Sequence, residues 1–162
     1  MRNAKLHLVI LSAFLLSACS VFAPKKATNE ELILGSWNCS QEIKNLDVGG
    51  FMKFEIVDVY MDDGTVSSSG SIKLRLNSNV PVVDYSKSAR GTWSITNDKI
   101  TYVTNEEKVV NISHPELDKV FNLEEELKGN EPLTTNITTL NNSQLILDEE
   151  AGGDNGIYKC TR

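Results

Sequence analysis

At residues 91–103 the chain reads Gly91-Thr92-Trp93-Ser94-Ile95-Thr96-Asn97-Asp98-Lys99-Ile100-Thr101-Tyr102-Val103. Two runs of β-branched and aromatic residues flank the polar residues Thr96 to Lys99, the pattern of two strands joined by a tight turn. Upstream, Asp62-Asp63-Gly64-Thr65 is a second hairpin signal, in which the Asp-Gly step supplies left-handed backbone. A run rich in Phe, Ile, Val and Tyr, Phe51 to Met61, leads into that turn. After it, Ile72-Lys73-Leu74-Arg75-Leu76 alternates apolar and charged residues, one face in and one face out. Gly35 to Cys39 starts the first strand, and Lys108–Ile112, Asn136–Leu140, Gln144–Leu147 and Ile157–Arg162 complete the set. The chain is therefore mainly β. About eight to nine short strands with regular turn signals predict a small antiparallel barrel, whose closure hides the strand edges.

One segment breaks the strand rhythm. Ser113-His114-Pro115-Glu116 has the form of a capping box, Leu117, Val120, Phe121 and Leu127 recur at helical spacing, and Gly129 supplies a stop. This predicts one amphipathic helix of about three to four turns, since a turn takes about 3.6 residues, packed on the sheet or over an open end.

Residues 1–18 have a basic start (Arg2, Lys5) and an apolar run, Leu6 to Leu16, shorter than the roughly 20 residues a membrane span requires. Leu16-Ser17-Ala18-Cys19 matches the bacterial lipobox of apolar, small, small, Cys. That match implies cleavage before Cys19 and lipidation of its thiol. Ser20, not aspartate, follows; under the sorting rule of enteric-type bacteria this implies the outer membrane, with the protein on its periplasmic face. Residues 19–31 are polar around one proline and read as a tether, and residues 32–162 as one domain of ordinary size.

The formal charge is −6, becoming −8 without Arg2 and Lys5. An acidic chain repels nucleic acid, whose phosphates attract Lys and Arg clusters, so no nucleic-acid partner is expected. Of the three cysteines, lipid takes Cys19; Cys39 and Cys160 remain as an even pair in an oxidising compartment, where a structural disulfide is the default.

The residues that carry chemistry elsewhere have plain structural readings here. His114 is a first-turn surface residue with no nucleophile or orienting acid identified beside it. Asp62 and Asp63 belong to their turn. The loop from Asp148 to Gly156 concentrates oxygen ligands among glycines, but not at the spacing of a twelve-residue calcium loop. Glu124-Glu125-Glu126 reads as the wet face of the helix, with docking on a basic partner as the alternative. No catalytic residue, metal or cofactor is expected.

Gly35-Ser36-Trp37, at the head of the first strand, resembles the G-x-W signature of lipocalins and of lipocalin-like (calycin-type) bacterial lipoproteins. The Asp63-Gly64-Thr65 hairpin followed by Gly91-Thr92-Trp93 and the Asn97-Asp98-Lys99 turn is similar to the same group. The resemblance implies that a basic residue on the final strand packs over the signature tryptophan; Arg162 takes that place. If Cys39 and Cys160 lie directly across two antiparallel strands, Trp37 faces Arg162 and Gln41 faces Tyr158, which closes the barrel. The alternative is a bridge between neighbouring loops with no ordered register. The helix departs from the lipocalin pattern, because it precedes the last three strands instead of following the eighth.

The resemblance implies a non-enzymatic binding module for a lipid or small apolar ligand, with Phe54, Ile72, Leu74, Leu76, Trp93 and Tyr102 as candidate lining. The same six residues serve equally as plain core, since small barrels are often filled by their own side chains. An envelope protein is the other candidate partner, for an accessory, pilotin-like lipoprotein or an inhibitor of an envelope enzyme.

Overall fold

The computed structural model describes residues 26–45, 48–129, 131–148 and 157–162. The expected leader, Cys19 and most of the acidic loop before Ile157 lie outside these residues. Eight strands follow one another: β1 Gly35–Asn45, β2 Gly50–Tyr60, β3 Thr65–Arg75, β4 Val83–Thr96, β5 Lys99–Asn111, β6 Leu133–Leu140, β7 Gln144–Asp148 and β8 Ile157–Thr161. Each pairs antiparallel with the next and β8 returns to β1, so the sheet is a closed up-and-down barrel.

Nine expected segments become eight strands because Ile100–Val103 and the apolar run before Ile112 are two ends of β5. Thr104 to Glu107 lack an apolar period yet stay in the ladder, with Glu106 opposite Arg90 and Glu107 opposite Ala89. A register shift at Arg90/Gly91 absorbs one extra residue on β5 as a bulge. Main-chain pairing does not require apolar side chains, and a bulge bends the strand locally.

Both tight turns form as expected. Gly64 adopts φ 79°, Met61 N donates to Thr65 O at 3.0 Å, and Asp63 Oδ1 accepts from Thr65 N at 2.9 Å. Asn97 supplies the left-handed residue of the other turn, with φ 57°.

The first and last strands meet in the expected register. Cys39 opposes Cys160 and is disulfide-bonded to it, with Asn38 opposite Thr161 and Ser40 opposite Lys159. The barrel end beside this bridge is shut by the buried Trp37, whose Nε1 donates to Ile33 O at 2.6 Å. Ile33 ends a short helix, α1 (Asn29–Ile33), whose first three residues belong to the span read as a tether. Thr28 and Glu31 cap it reciprocally, the arrangement that satisfies two orphan amides at once.

The single long helix is replaced by two short ones, α2 (Pro115–Phe121) and α3 (Leu123–Glu126), separated by Asn122 in the left-handed region at φ 51°. The capping box does not form. Asn111 Oδ1 accepts from Ser113 N and His114 N, which turns the chain one residue later and makes His114 the N-cap. Ser113 Oγ instead accepts from Asp84 N, tying the helical segment to β4. His114 Nδ1 and Glu116 Oε1 lie 3.1 Å apart on the surface.

The core has two layers. One, at the α1 end, gathers Ile33, Trp37, Tyr60, Val66, Ile100, Leu145 and Leu147 around the disulfide. The other joins Ile72, Leu74, Val83, Tyr85 and Val109, with Leu117 and Leu127 of the helical segment packed against it.

Candidate ligand cavity

Between the two layers the barrel is hollow. A cavity of 310 Å³ is lined by inward side chains from every strand, among them Gln41 of β1, Phe54, Ile56 and Asp58 of β2, and Leu147 of β7. This volume lies at the small end of ligand pockets, about 300–1,000 Å³. It is about twice the 150 Å³ that accommodates a benzene.

The cavity reaches the surface through a seam between β5 and β6. Those strands pair only from Lys99 to Tyr102 against Leu133 to Asn136, so the rest of β5 pairs with no strand on that side among the described residues. α3 and the segment after it lean across the gap: Asn111 N donates to Glu124 Oε1 of α3 at 3.0 Å, and Gly129 N donates to Glu107 Oε2 at 2.8 Å. Val103, Thr104, Glu131 and Leu133 line the cavity at this seam, and Val103 and Leu133 are exposed. Glu124 is thus partly used by the fold, Glu125 pairs with Lys128, and Glu126 faces solvent.

The lining is apolar with a polar cluster in its wall. Asp58 is 5% exposed; its Oδ1 accepts from Ser68 Oγ at 2.6 Å and its Oδ2 from Tyr158 OH at 3.0 Å. Burial raises the Asp58 carboxyl above the usual carboxylate range, partly offset by those two hydrogen bonds and by the Lys87 charge. Lys87 Nζ is paired with Glu107 Oε1 inside the barrel. Tyr60 OH and Tyr102 OH are 2.5 Å apart, and burial is the leading cause that pushes Tyr60, Tyr102 and Tyr158 upward, so all three keep their protons. The hydroxyl of Thr135, a residue 4% exposed, has no partner among the described residues.

Asp58 also lies within 4.8 Å of both Cys39 and Cys160 sulfurs. The disulfide removes the thiolates that would ligate a metal, so this trio is a packing cluster and not a metal centre.

Of the six candidate lining residues, the cavity holds Phe54 and Tyr102. Ile72 and Leu74 pack under the helical segment in the second layer, because β3 carries them past the hollow region. Leu76 lies beyond the end of β3 and is exposed. Trp93 stacks edge-on against Tyr60 at 5.8 Å, and its Nε1 donates to the carbonyls of Met61 and Thr65 at the DDGT turn. Gly35, Trp37 and Arg162 come together outside the cavity: Gly35 turns the corner at φ 104°, and the Arg162 guanidinium covers the Trp37 ring.

The sequence pattern does not mark Asp58, Ser68, Lys87, Glu107, Thr135 or Tyr158 as cavity residues. Asp58 alone left a signal: it occupies the phase of Ile56 and Tyr60 within a strand otherwise apolar at those positions. The others sit on strands with polar residues on both faces, where alternation says nothing about which face is in.

A closed eight-stranded meander around an interior cavity is the up-and-down barrel architecture of lipocalin-like proteins. Among solved structures, the chain is similar to a lipocalin-like protein from Bacteroides uniformis ATCC 8492, at 17% identity over 80% of this chain and 96% of that one, with a TM-score of 0.41. It is similar also to an uncharacterized protein from Bacteroides eggerthii DSM 20697, at 14% identity over 80% of this chain and 98% of that one, with a TM-score of 0.43. No protein-family model and no curated protein matches the sequence.

Proposed function

We propose that this protein is a lipid-anchored binding module that holds a small, mainly apolar ligand inside its barrel. The observation that carries this reading is the 310 Å³ cavity to which all eight strands contribute inward residues. Its size suits one short chain or ring system and is too small for a whole two-chain lipid. Lys26 and Thr28 precede α1 at the Trp37 end, so the described chain begins at the shut end of the barrel. Cys19 is the anchor, by its lipobox, and the outer membrane, periplasmic face, is the address. Binding without turnover is favoured because Lys87 and Glu107 are committed to one another.

Native mass spectrometry on protein taken gently from membranes tests this. The expected result is a retained small mass that disappears in Ala89→Trp, a substitution that fills the cavity beside Ser68 and Lys87. An empty wild-type barrel that co-purifies with one envelope protein overturns it in favour of the accessory role.

A further inference from the structure

We propose that the cavity selects amphiphiles with a primary ammonium head, held at Asp58, over those with an anionic head. The inference rests on the cavity being a ligand site, and adds which ligands it takes.

Three charged side chains lie within the wall, Asp58, Lys87 and Glu107, and the single cation among them is already paired with Glu107. One carboxyl group is therefore in excess. It has no ion-pair partner among the described residues; both hydrogen bonds it accepts come from the neutral hydroxyls of Ser68 and Tyr158. An ionised carboxylate offers about four lone-pair sites, so two stay open. Arg90 and Glu131, both exposed, also touch the cavity and offset one another.

The second observation is the Thr135 hydroxyl. It is buried, lines the same cavity and has no partner among the described residues. A buried polar group without a partner is costly, and a ligand donor relieves that cost. An ammonium has three donors and no acceptor, matching the open acceptor sites of Asp58. A carboxylate head brings a like charge to Asp58, and an alcohol brings no charge. The apolar body rests on Phe54, Ile56, Val66 and Leu147. A buried carboxyl without a counter-ion is costly, and an ammonium beside it favours its ionised form.

The test is calorimetric titration of the full chain in nanodiscs with octylamine, 1-octanol and octanoate, with empty nanodiscs as the blank. Octylamine is expected to bind at least tenfold more tightly than octanoate. Asp58→Asn should weaken octylamine about tenfold and leave 1-octanol within twofold. The preference is read on the unaltered chain, and Thr135→Val, nearly equal in volume, should weaken octylamine about threefold, so an unstable Asp58 variant does not block the test. Octanoate binding as tightly as octylamine, or an amine preference that survives Asp58→Asn, overturns the proposal. If 1-octanol binds and octylamine has no advantage, this inference alone falls. If none of the three binds, the ligand-site reading falls, and this inference with it.

Discussion

The Arg162 guanidinium lies 4.1 Å from the centre of the Trp37 ring, and donates to the carbonyls of Leu34 at 2.5 Å and Leu32 at 2.8 Å. It also reaches Asn142 O at 2.9 Å. One planar group thus ties β8 to the corner between α1 and β1 and to the β6–β7 turn. Arg162→Ala removes all four contacts at a solvent-facing site and should cost about 2 kcal/mol. Arg162→Lys keeps the charge without the fork and should recover less than half of that loss. Chemical unfolding monitored by Trp fluorescence measures both.

The Cys39–Cys160 bridge closes a loop with a sequence separation of 121. On the chain-entropy account a loop of that length is worth about 5 kcal/mol, acting on the unfolded chain. The Cys39→Ser, Cys160→Ser double variant should therefore unfold at much lower urea concentration. Its native spectrum should persist at low denaturant, since the β1–β8 ladder and the Arg162 clamp remain. Loss of the native near-ultraviolet spectrum without denaturant contradicts this.

Asp58 gives stability a pH dependence of definite sign. Its carboxyl is raised in the folded state by burial, so the folded chain holds the proton more tightly than the unfolded one. Stability is then greatest below the unfolded value and falls as pH rises through the folded one. This is opposite to the usual behaviour of a paired carboxylate. In a melting-temperature series through the acid range, wild type minus Asp58→Asn should show this downward step; a rising or flat difference contradicts it.

Gly70 has no room for a side chain. A Cβ there would stand 2.1 Å from Glu55 O across the β2–β3 ladder, in contact with backbone that cannot swing away. Gly70→Ala should cost about 3 kcal/mol, at the upper end of overpacking changes. A Cβ on Gly129 meets only the Glu107 carboxylate at 3.8 Å. Gly129→Ala should stay within about 0.5 kcal/mol of wild type. Equal losses in the two variants contradict the steric account.

Local chemistry was legible wherever one residue type settles a local conformation. The Asp63-Gly64 and Asn97-Asp98 turns form because glycine and asparagine accept left-handed backbone that other residues resist. The two remaining cysteines named each other, and the β1–β8 ladder chose the direct cross-strand register over a bridge between loops. The strong period of Ile72 to Leu76 marked the last part of β3, without its first seven residues and with Leu76 past its end; only the barrel decides that Ile72 and Leu74 meet Leu117 and Leu127 and not the hollow centre.

The sequence by itself determined the mainly β character of the chain, its two tight turns, the pairing of Cys39 with Cys160 and the acidic charge. The tertiary structure alone decided which faces look inward on strands that are polar or apolar on both sides. It also cut the long helix in two, where Asn122 turns left-handed after α2 and its N–H closes on Asp118 O. The cavity is a property of closure: side chains from eight strands, far apart along the chain, stop short of meeting between two packed layers. No local pattern encodes such a gap, since it depends on the sum of volumes around the ring, and that sum exists only once β8 has found β1.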